Sequence, residues 1–286
     1  MQYFLSGLTS GAIYALVGLG FAIIYNASHV INFAQGEFVM IGGMATAFLV
    51  TAGVPLWIAI PLAAAAAALV GVLLARFAIQ PARGASVVTL IIITIGASIF
   101  LRGLAQIVFD KRLHSLPAFS GDQPIALMGA SMTPQMLWVL GASLIIVIVL
   151  QYFFTRTIAG KAMLATSFNR LGAQLVGINV HYVVLASFAL SATLGAIGGI
   201  LVTPITSTNY EVGIMLGLKG FSAAILGGLG SGYGAIVGGL VLGLLEAFGA
   251  AYLSSAYKDA LAFVVILLVL FFLPHGLFGR RGTDRV

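Results

Sequence analysis

The sequence predicts an all-α, polytopic membrane protein with eight to nine transmembrane or re-entrant helices, some of them discontinuous. Composition makes the first argument: 61% of the 286 residues are hydrophobic and 7% charged, with a mean hydropathy of +1.14, whereas soluble domains carry roughly 25% charged residues. Run length makes the second, because about 20 apolar residues span a bilayer as a helix. The third is that glycine and polar residues interrupt this hydrophobicity at two places, 26 to 43 and 203 to 243. A bilayer core cannot hydrogen-bond a broken helix, so such interruptions belong where protein or a watery cavity covers them.

Taken in order, the apolar runs fall at 3–25, 38–52, 55–79, 86–109, 136–154, 182–203, 213–229, 234–253 and 259–274. They are long, continuously apolar and rich in Ala, Leu and Gly, unlike the alternating segments of about ten residues that build a membrane β-barrel. No Lys or Arg precedes the first run, so it lacks the charged start of a signal peptide and is expected to stay as a helix. Small residues recur four apart at Gly7 and Gly11, Gly195 and Gly199, Gly234 and Gly238, and Gly239 and Gly243. Such pairs let helix backbones approach closely where lipid supplies no hydrophobic drive. The run Ala63 to Ala68 reads as a thin helix face of the same kind. The whole chain reads as one transmembrane unit, 1–286, with no room for a soluble domain.

The basic residues orient it. If Arg280, Arg281 and Arg285 are cytoplasmic, nine crossings also place Arg76, Arg83, Arg156, Lys161 and Arg170 inside, which makes eight of the thirteen Lys and Arg residues. The opposite side receives Lys111, Arg112 and Lys258, matched by Asp110, Asp122 and Asp259. This obeys the positive-inside bias. The amino terminus is then outside, with 110–135 as the largest exterior loop and 155–180 cytoplasmic. The formal charge of +6 reads as loop bias rather than nucleic-acid binding.

Several classes are excluded. Without cysteine there is no disulfide, thiolate metal site or cysteine nucleophile. His29, His114, His181 and His275 show no paired spacing, so no metal site is expected. No nucleophile, base and orienting group assemble into an enzyme site. No nucleotide-binding P-loop occurs, since Gly160 and Lys161 are followed by Ala162.

In the first interruption, Asn26, Asn32, Gln35, Gly36 and Glu37 mix with Ile31, Phe33 and Ala34, which reads as a half-buried break rather than a surface loop. Asn32 and Gln35 are candidates to cap freed backbone groups, and Glu37 suits the positive end of a restarting helix. The same residues also fit the lining of a solute path, as in discontinuous-helix transporters. The second interruption passes Asn209, Glu211 and Lys219 and closes on Gly227, Gly228 and Gly230, followed by Gly232 and Gly234. It reads as a half helix with a tight return. Intramembrane ions need partners or water, so Lys219 is expected either to pair with Glu246 or Glu211 or to snorkel alone to the interface.

Between the fifth and sixth runs, Met163, Leu164, Phe168, Leu171, Leu175 and Val176 recur at three and four residues, giving one greasy helical face. Such a helix fits equally a lipid surface and a partner subunit.

Four motifs carry a resemblance: INFAQGEFVMIGG (Ile31 to Gly43), the segment ending LVGIN (Leu175 to Asn179), KGFSAAILGGLGSGYGAIVGGLVLGLLEA (Lys219 to Ala247) and YKDALAFVVILLVLFFLPHGLFGR (Tyr257 to Arg280). In this order they resemble the branched-chain amino acid permeases of ATP-binding-cassette importers, the H-type subunit of the Liv system above all. The resemblance implies a multi-pass protein of the bacterial inner membrane that forms a heterodimer with an M-type permease. It further implies two cytoplasmic ATPase subunits that bind ATP and Mg, and a periplasmic substrate-binding protein, with no cofactor in this chain. It makes the loop Lys161 to Asn179 the ATPase-coupling segment, with Lys161, Phe168, Arg170, Leu171, Gly177 and Asn179 as candidate docking residues. One departure is that Leu164, Ser167 and Phe168 interrupt the charge usual in that loop. Asn26, Asn32, Gln35, Glu37, Lys219 and Glu246 become candidates for the translocation path, with Gly36, Gly227, Gly228 and Gly230 as helix-break glycines. Relatives with similar motifs handle urea, amides or aromatic acids, so cargo is open beyond leucine, isoleucine and valine. An ion-coupled secondary transporter or channel using Glu37, Lys219 and Glu246 is the competing class.

Overall fold

Every one of the nine apolar runs falls on a helix, with ends within three residues of those read from the sequence. The computed structural model describes residues 1 to 286 except 83, 122, 128, 129, 253 to 256, 274 and 280 to 286. Arg83, Asp122, Arg280, Arg281 and Arg285, used above to orient the chain, therefore lie outside the described residues. The helices are α1 (Gln2–Ser28), α2 (Gln35–Thr51), α3 (Leu56–Leu74), α4 (Val87–Val108), α5 (Pro134–Arg156), α6 (Ile158–Phe168), α7 (Arg170–Leu175), α8 (Val180–Thr206), α9 (Val212–Gly227), α10 (Gly232–Tyr252) and α11 (Lys258–Phe272). A π-helical turn, Ala75–Ile79, continues α3. Among the described residues six of these segments are long and apolar enough to cross a membrane: α1, α3 with its π turn, α4, α5, α8 and α10. Helices α2, α9 and α11 are shorter, at 17, 16 and 15 residues.

The fold is nearly all helix. The exception to the all-α expectation is a hairpin of β1 (Ile125–Leu127) and β2 (Ala130–Met132), antiparallel with Ile125 opposite Met132. It lies in the long connection between α4 and α5, where backbone donors outside a helix must find partners of their own. The same connection exchanges backbone hydrogen bonds with the end of α8, His114 N–H to the Thr208 carbonyl at 2.8 Å and Thr208 N–H to the His114 carbonyl at 2.7 Å.

Helices α1, α2, α8, α9 and α10 make the interior, and the small-residue spacings place them. A methyl on Gly11 would stand 2.8 Å from Leu240 Cα of α10 and one on Gly7 3.0 Å from Leu244 Cα. Gly239 and Gly243 answer from the other side, against Ala15 and Gly11. Gly199 lies against the Val39 carbonyl of α2, and Gly238 against the Ala223 carbonyl of α9. Each pair read as a packing surface is therefore one, as expected where close backbone approach replaces hydrophobic drive. Leu16, Ile24, Phe38, Met40, Phe188 and Leu242 fill the remaining space as fully buried side chains.

Helices α4, α5 and α11 wrap this interior and present Ile99, Ile107, Ile145, Ile148, Leu267 and Phe271 outward. In water such a surface would drive aggregation, whereas in lipid it is the ordinary outer face. The protein is a membrane protein on both counts, sequence and shape.

The greasy face read across 155 to 179 is divided. Asn169 ends α6 and caps α7, its Oδ1 accepting the Gly172 N–H at 2.8 Å, so the periodicity does not run through one helix. Met163 turns into the bundle beside Leu19, Ala22 and Ala235, while Phe168, Leu171, Leu175 and Val176 are exposed.

Candidate functional site

The first interruption is a break between α1 and α2 that turns back into the protein. His29 takes a left-handed conformation at φ 56° and donates its N–H to the Tyr25 carbonyl, closing α1. The chain then re-enters, and Asn32, Gln35 and Glu37 are all buried. Asn32 caps as expected: its Oδ1 accepts the Ala34 N–H at 3.1 Å. Gln35 does something else. Its Nε2 donates to the Ser191 carbonyl at 3.1 Å, and Ser191 Oγ lies 2.7 Å from Gln35 Oε1 and 2.8 Å from the Gly20 carbonyl. This network joins α1, α2 and α8 at the level of the break. Gly20 permits it, because a Cβ there would collide with the Gln35 amide. From α4, Thr94 Oγ1 accepts the Phe33 N–H at 3.2 Å and lies 3.3 Å from the Ile31 carbonyl.

Glu37 stands in the first turn of α2, where the helix dipole favours a carboxylate. Its Oε1 accepts from Ser98 Oγ at 2.7 Å and lies 3.3 Å from Arg102 Nε. Its Oε2 is buried and without a hydrogen-bond partner, as is Asn32 Nδ2. Gly36 meets α9 so closely that a Cβ would fall on the Gly213 carbonyl.

The second interruption differs in kind. Lys219 Nζ sits 2.8 Å from Glu246 Oε1 and 2.6 Å from Asp259 Oδ1. Tyr14 completes the group, donating to Glu246 Oε2 at 2.7 Å and lying 3.2 Å from the ammonium. Four helices, α1, α9, α10 and α11, thus share one ion cluster. Of the two carboxylates weighed for Lys219, Glu246 is its partner, and no Lys219–Glu211 pair forms among the described residues. Lys219 does not snorkel, since its side chain is 8% exposed.

The glycine return between α9 and α10 is held from two directions. Gly228 and Gly230 take positive φ of 101° and 94°, which other residues reach only with strain. Asn26 Nδ2 donates to the Gly230 carbonyl at 2.7 Å. From beyond α11, Leu277 and Phe278 donate their N–H groups to the Leu226 and Gly227 carbonyls, both at 2.9 Å, satisfying the open end of α9. Gly227 itself meets Gly234 with no room for a side chain.

The candidate coupling residues group apart from both clusters. Lys161, Phe168, Arg170, Leu171 and Gly177 are exposed, and Gly177 turns the chain out of α7 at φ 86°. Asn179 caps α8, accepting the His181 N–H at 3.0 Å. This surface lies at the opposite end of α5 from the β-hairpin.

Sequence reading missed Tyr14, Ser98, Ser191 and the roles of Arg102 and Asp259. Arg102 and Lys219 each stand alone in an apolar run, and an intramembrane cation requires an intramembrane anion. That rule points both cations to the acidic residues Glu37, Glu211 and Glu246, and the structure makes the choice: Arg102 with Glu37 and Lys219 with Glu246. The serines carry no comparable signal.

Comparisons with known proteins agree with one another. Residues 3–270 match the family model described as the branched-chain amino acid transport system permease component. The chain is 32% identical to the high-affinity branched-chain amino acid transport system permease protein LivH of Escherichia coli, covering 100% of this chain and 97% of that one. It is also 32% identical to the corresponding protein BraD of Pseudomonas aeruginosa, over 100% and 98% of the two chains. The ribose import permease protein RbsC of Haemophilus influenzae is more distant, at 26% identity over 89% of this chain and 79% of that one. Among solved structures, PsaBC from Streptococcus pneumoniae in complex with Fab shares the fold, with a TM-score of 0.53 at 14% identity over 96% of this chain and 93% of that chain.

Proposed function

Because the chain belongs to the family of branched-chain amino acid transport system permeases, we propose that it is the membrane subunit of an ATP-driven importer that carries leucine, isoleucine and valine inward across the inner membrane by alternating access. Relatives named for that cargo align over its full length. The observation that carries the reading from family to mechanism is the buried break at Asn32, Gln35 and Glu37, amides and a carboxylate set inside an apolar bundle. Polar groups at membrane depth are characteristic of a solute path.

In this reading all nine apolar helices lie in the bilayer, with α2 and α9 as its discontinuous elements. The amino terminus and the 110–135 loop face outside, and 155–180 faces the cytoplasm with Arg156, Lys161 and Arg170. Asn32, Gln35 and Glu37 line the path. Asn26, Lys219 and Glu246, whose polar groups are engaged by the protein's own, frame it by tying α1, α9, α10 and α11 together. The exposed residues Phe168, Leu171, Leu175 and Val176 dock on one of two ATPase subunits, which bind ATP and Mg and supply the power. A second permease of the M type completes the membrane pore, and an external binding protein delivers cargo. The ribose permease among the relatives favours one variation only: the same machine loaded with a different small solute.

Uptake into proteoliposomes tests this. Labelled leucine should accumulate only when the permease pair, ATPases, binding protein and ATP are all present. Accumulation by this chain alone under a proton or sodium gradient overturns the importer reading. Replacing Leu171→Glu should reduce ATPase co-purification at least fivefold while leaving the permease pair intact; unchanged co-purification removes α7 from the docking surface.

A further inference from the structure

The two buried polar atoms left without partners on the first break point to what passes there. A buried carboxylate oxygen with no donor is uncommon in folded proteins and calls for a cause. Glu37 has such an oxygen. Ser98 and Arg102 both use Oε1, leaving Oε2 and, on the same break, Asn32 Nδ2 open.

The position of Oε2 narrows the cause. It lies 3.1 Å from where a Cβ on Gly213 would stand, so it faces the seam between the start of α2 and the start of α9. That seam is made of Gly36, Gly213 and Gly217, backbone against backbone with no side chain between. Elsewhere the break is fastened. Gln35 binds α8, Thr94 holds the chain around Ile31 and Phe33, and the ion cluster holds α9 to α10 and α11. No side-chain hydrogen bond or ion pair crosses the seam among the described residues. Parting it costs contact alone, and beside the Gly36 and Gly213 carbonyls it uncovers an unpaired carboxylate oxygen.

Resting on the importer reading, we infer that Glu37 Oε2 accepts the ammonium group of an amino acid in transit, in a site that the glycine seam of α2 and α9 closes when empty. The chemistry fits a cation carried on a small, otherwise apolar molecule. A charge-assisted bond to an ammonium supplies the donor that Oε2 lacks, and Asn32 Nδ2 offers a donor to an oxygen of the same molecule. The neighbouring wall is apolar and aromatic: Phe221 of α9 packs on Phe33 at 5.2 Å and on Phe21 at 5.4 Å between ring centres. Such a wall suits a branched aliphatic side chain. Arg102 is a tether on Oε1, 27% exposed, and is not needed to receive the cargo.

The test uses the assembled importer with its binding protein. Glu37→Gln keeps the shape and an oxygen for Ser98 but loses the charge; it should lower ATP-driven leucine uptake at least tenfold while hydrolysis stimulated by loaded binding protein persists. Arg102→Gln should cost less than about threefold, and the double variant should import no better than E37Q. Uptake by E37Q within twofold of the native complex overturns the inference, and so does recovery in the double variant, which makes Glu37 merely the counter-ion of Arg102. A native complex that imports no leucine fails earlier, and then the importer reading falls together with this one. Since the chain contains no cysteine, Asn32→Cys gives an independent measure. A small cationic thiol reagent should modify it during ATP turnover and not at rest, with leucine protecting; a thiol that stays unreactive throughout turnover also overturns the site.

Discussion

The two interruptions look alike in sequence and are opposites in structure. Both mix glycine with polar residues inside apolar helices. Around the second, hydrogen-bonding capacity is largely taken up within the chain: Lys219 has Glu246, Asp259 and Tyr14, the Gly230 carbonyl has Asn26, and the last carbonyls of α9 have Leu277 and Phe278, with the neutral Thr208 hydroxyl left open among the described residues of 203 to 243. The first keeps Asn32 Nδ2 and Glu37 Oε2 open. A helix break thus signals function through what it leaves unsatisfied, since a fully paired break is only a way of turning the chain.

Lys219 is the strongest lever on that contrast. Replacing it with Met strands Glu246 and Asp259 side by side without their cation, and breaking a buried pair costs about 3–5 kcal/mol. The Lys219→Met complex should melt well below the native one in a detergent thermal scan, with loss of α11 attachment registered as new proteolysis near its start. Adding Glu246→Gln should recover part of the loss. If K219M melts like the native complex, the second region is not held by its ions and the comparison fails.

The seam where the two regions meet comes next. A side chain on Gly36 collides with the Gly213 carbonyl, and overpacking of this kind costs about 1–3 kcal/mol. Gly36→Val should therefore lower the melting temperature moderately but cut leucine uptake far more than stability, because it wedges α2 from α9. Equal uptake at lowered stability would make the seam passive packing.

How much of this was legible depended on the length scale of the signal. Nine apolar runs fall on nine helices, and four-residue glycine spacing marked the packing surfaces, because both follow from composition along one chain; which helices meet there, α1 with α10 and α2 with α8, only the structure shows. The division of 155 to 179 into α6 and α7 was hidden, since Asn169 fits a helix pattern until its side chain caps the next one. Within the candidate site, Glu37, Lys219 and Glu246 stood out as charges in oil. Tyr14, Ser98 and Ser191 did not, because single hydroxyls are unremarkable in membrane helices, and their roles arise from partners 61 to 232 residues away. The tail clamp on α9 was invisible for a related reason: it is made by backbone amides of Leu277 and Phe278, which carry no residue identity at all.

Asn26 offers the smallest and most discriminating effect. It sits one turn before the first break ends α1, so position in sequence assigns it to the first region, yet its hydrogen bond goes to Gly230 in the second. Asn26→Ala removes one part-buried hydrogen bond, about 1 kcal/mol, and leaves the tail amides on the neighbouring carbonyls in place. The expected result is a melting temperature lowered by a few degrees at most, with leucine uptake within twofold of native. Asn26→Asp is the sharper form, because a carboxylate facing the Gly230 carbonyl is repelled where the amide donated, so it should destabilise more than Ala does. If Asn26→Ala instead abolishes uptake at unchanged stability, the satisfied break is a working part of the path, and unpaired valence no longer separates the two regions.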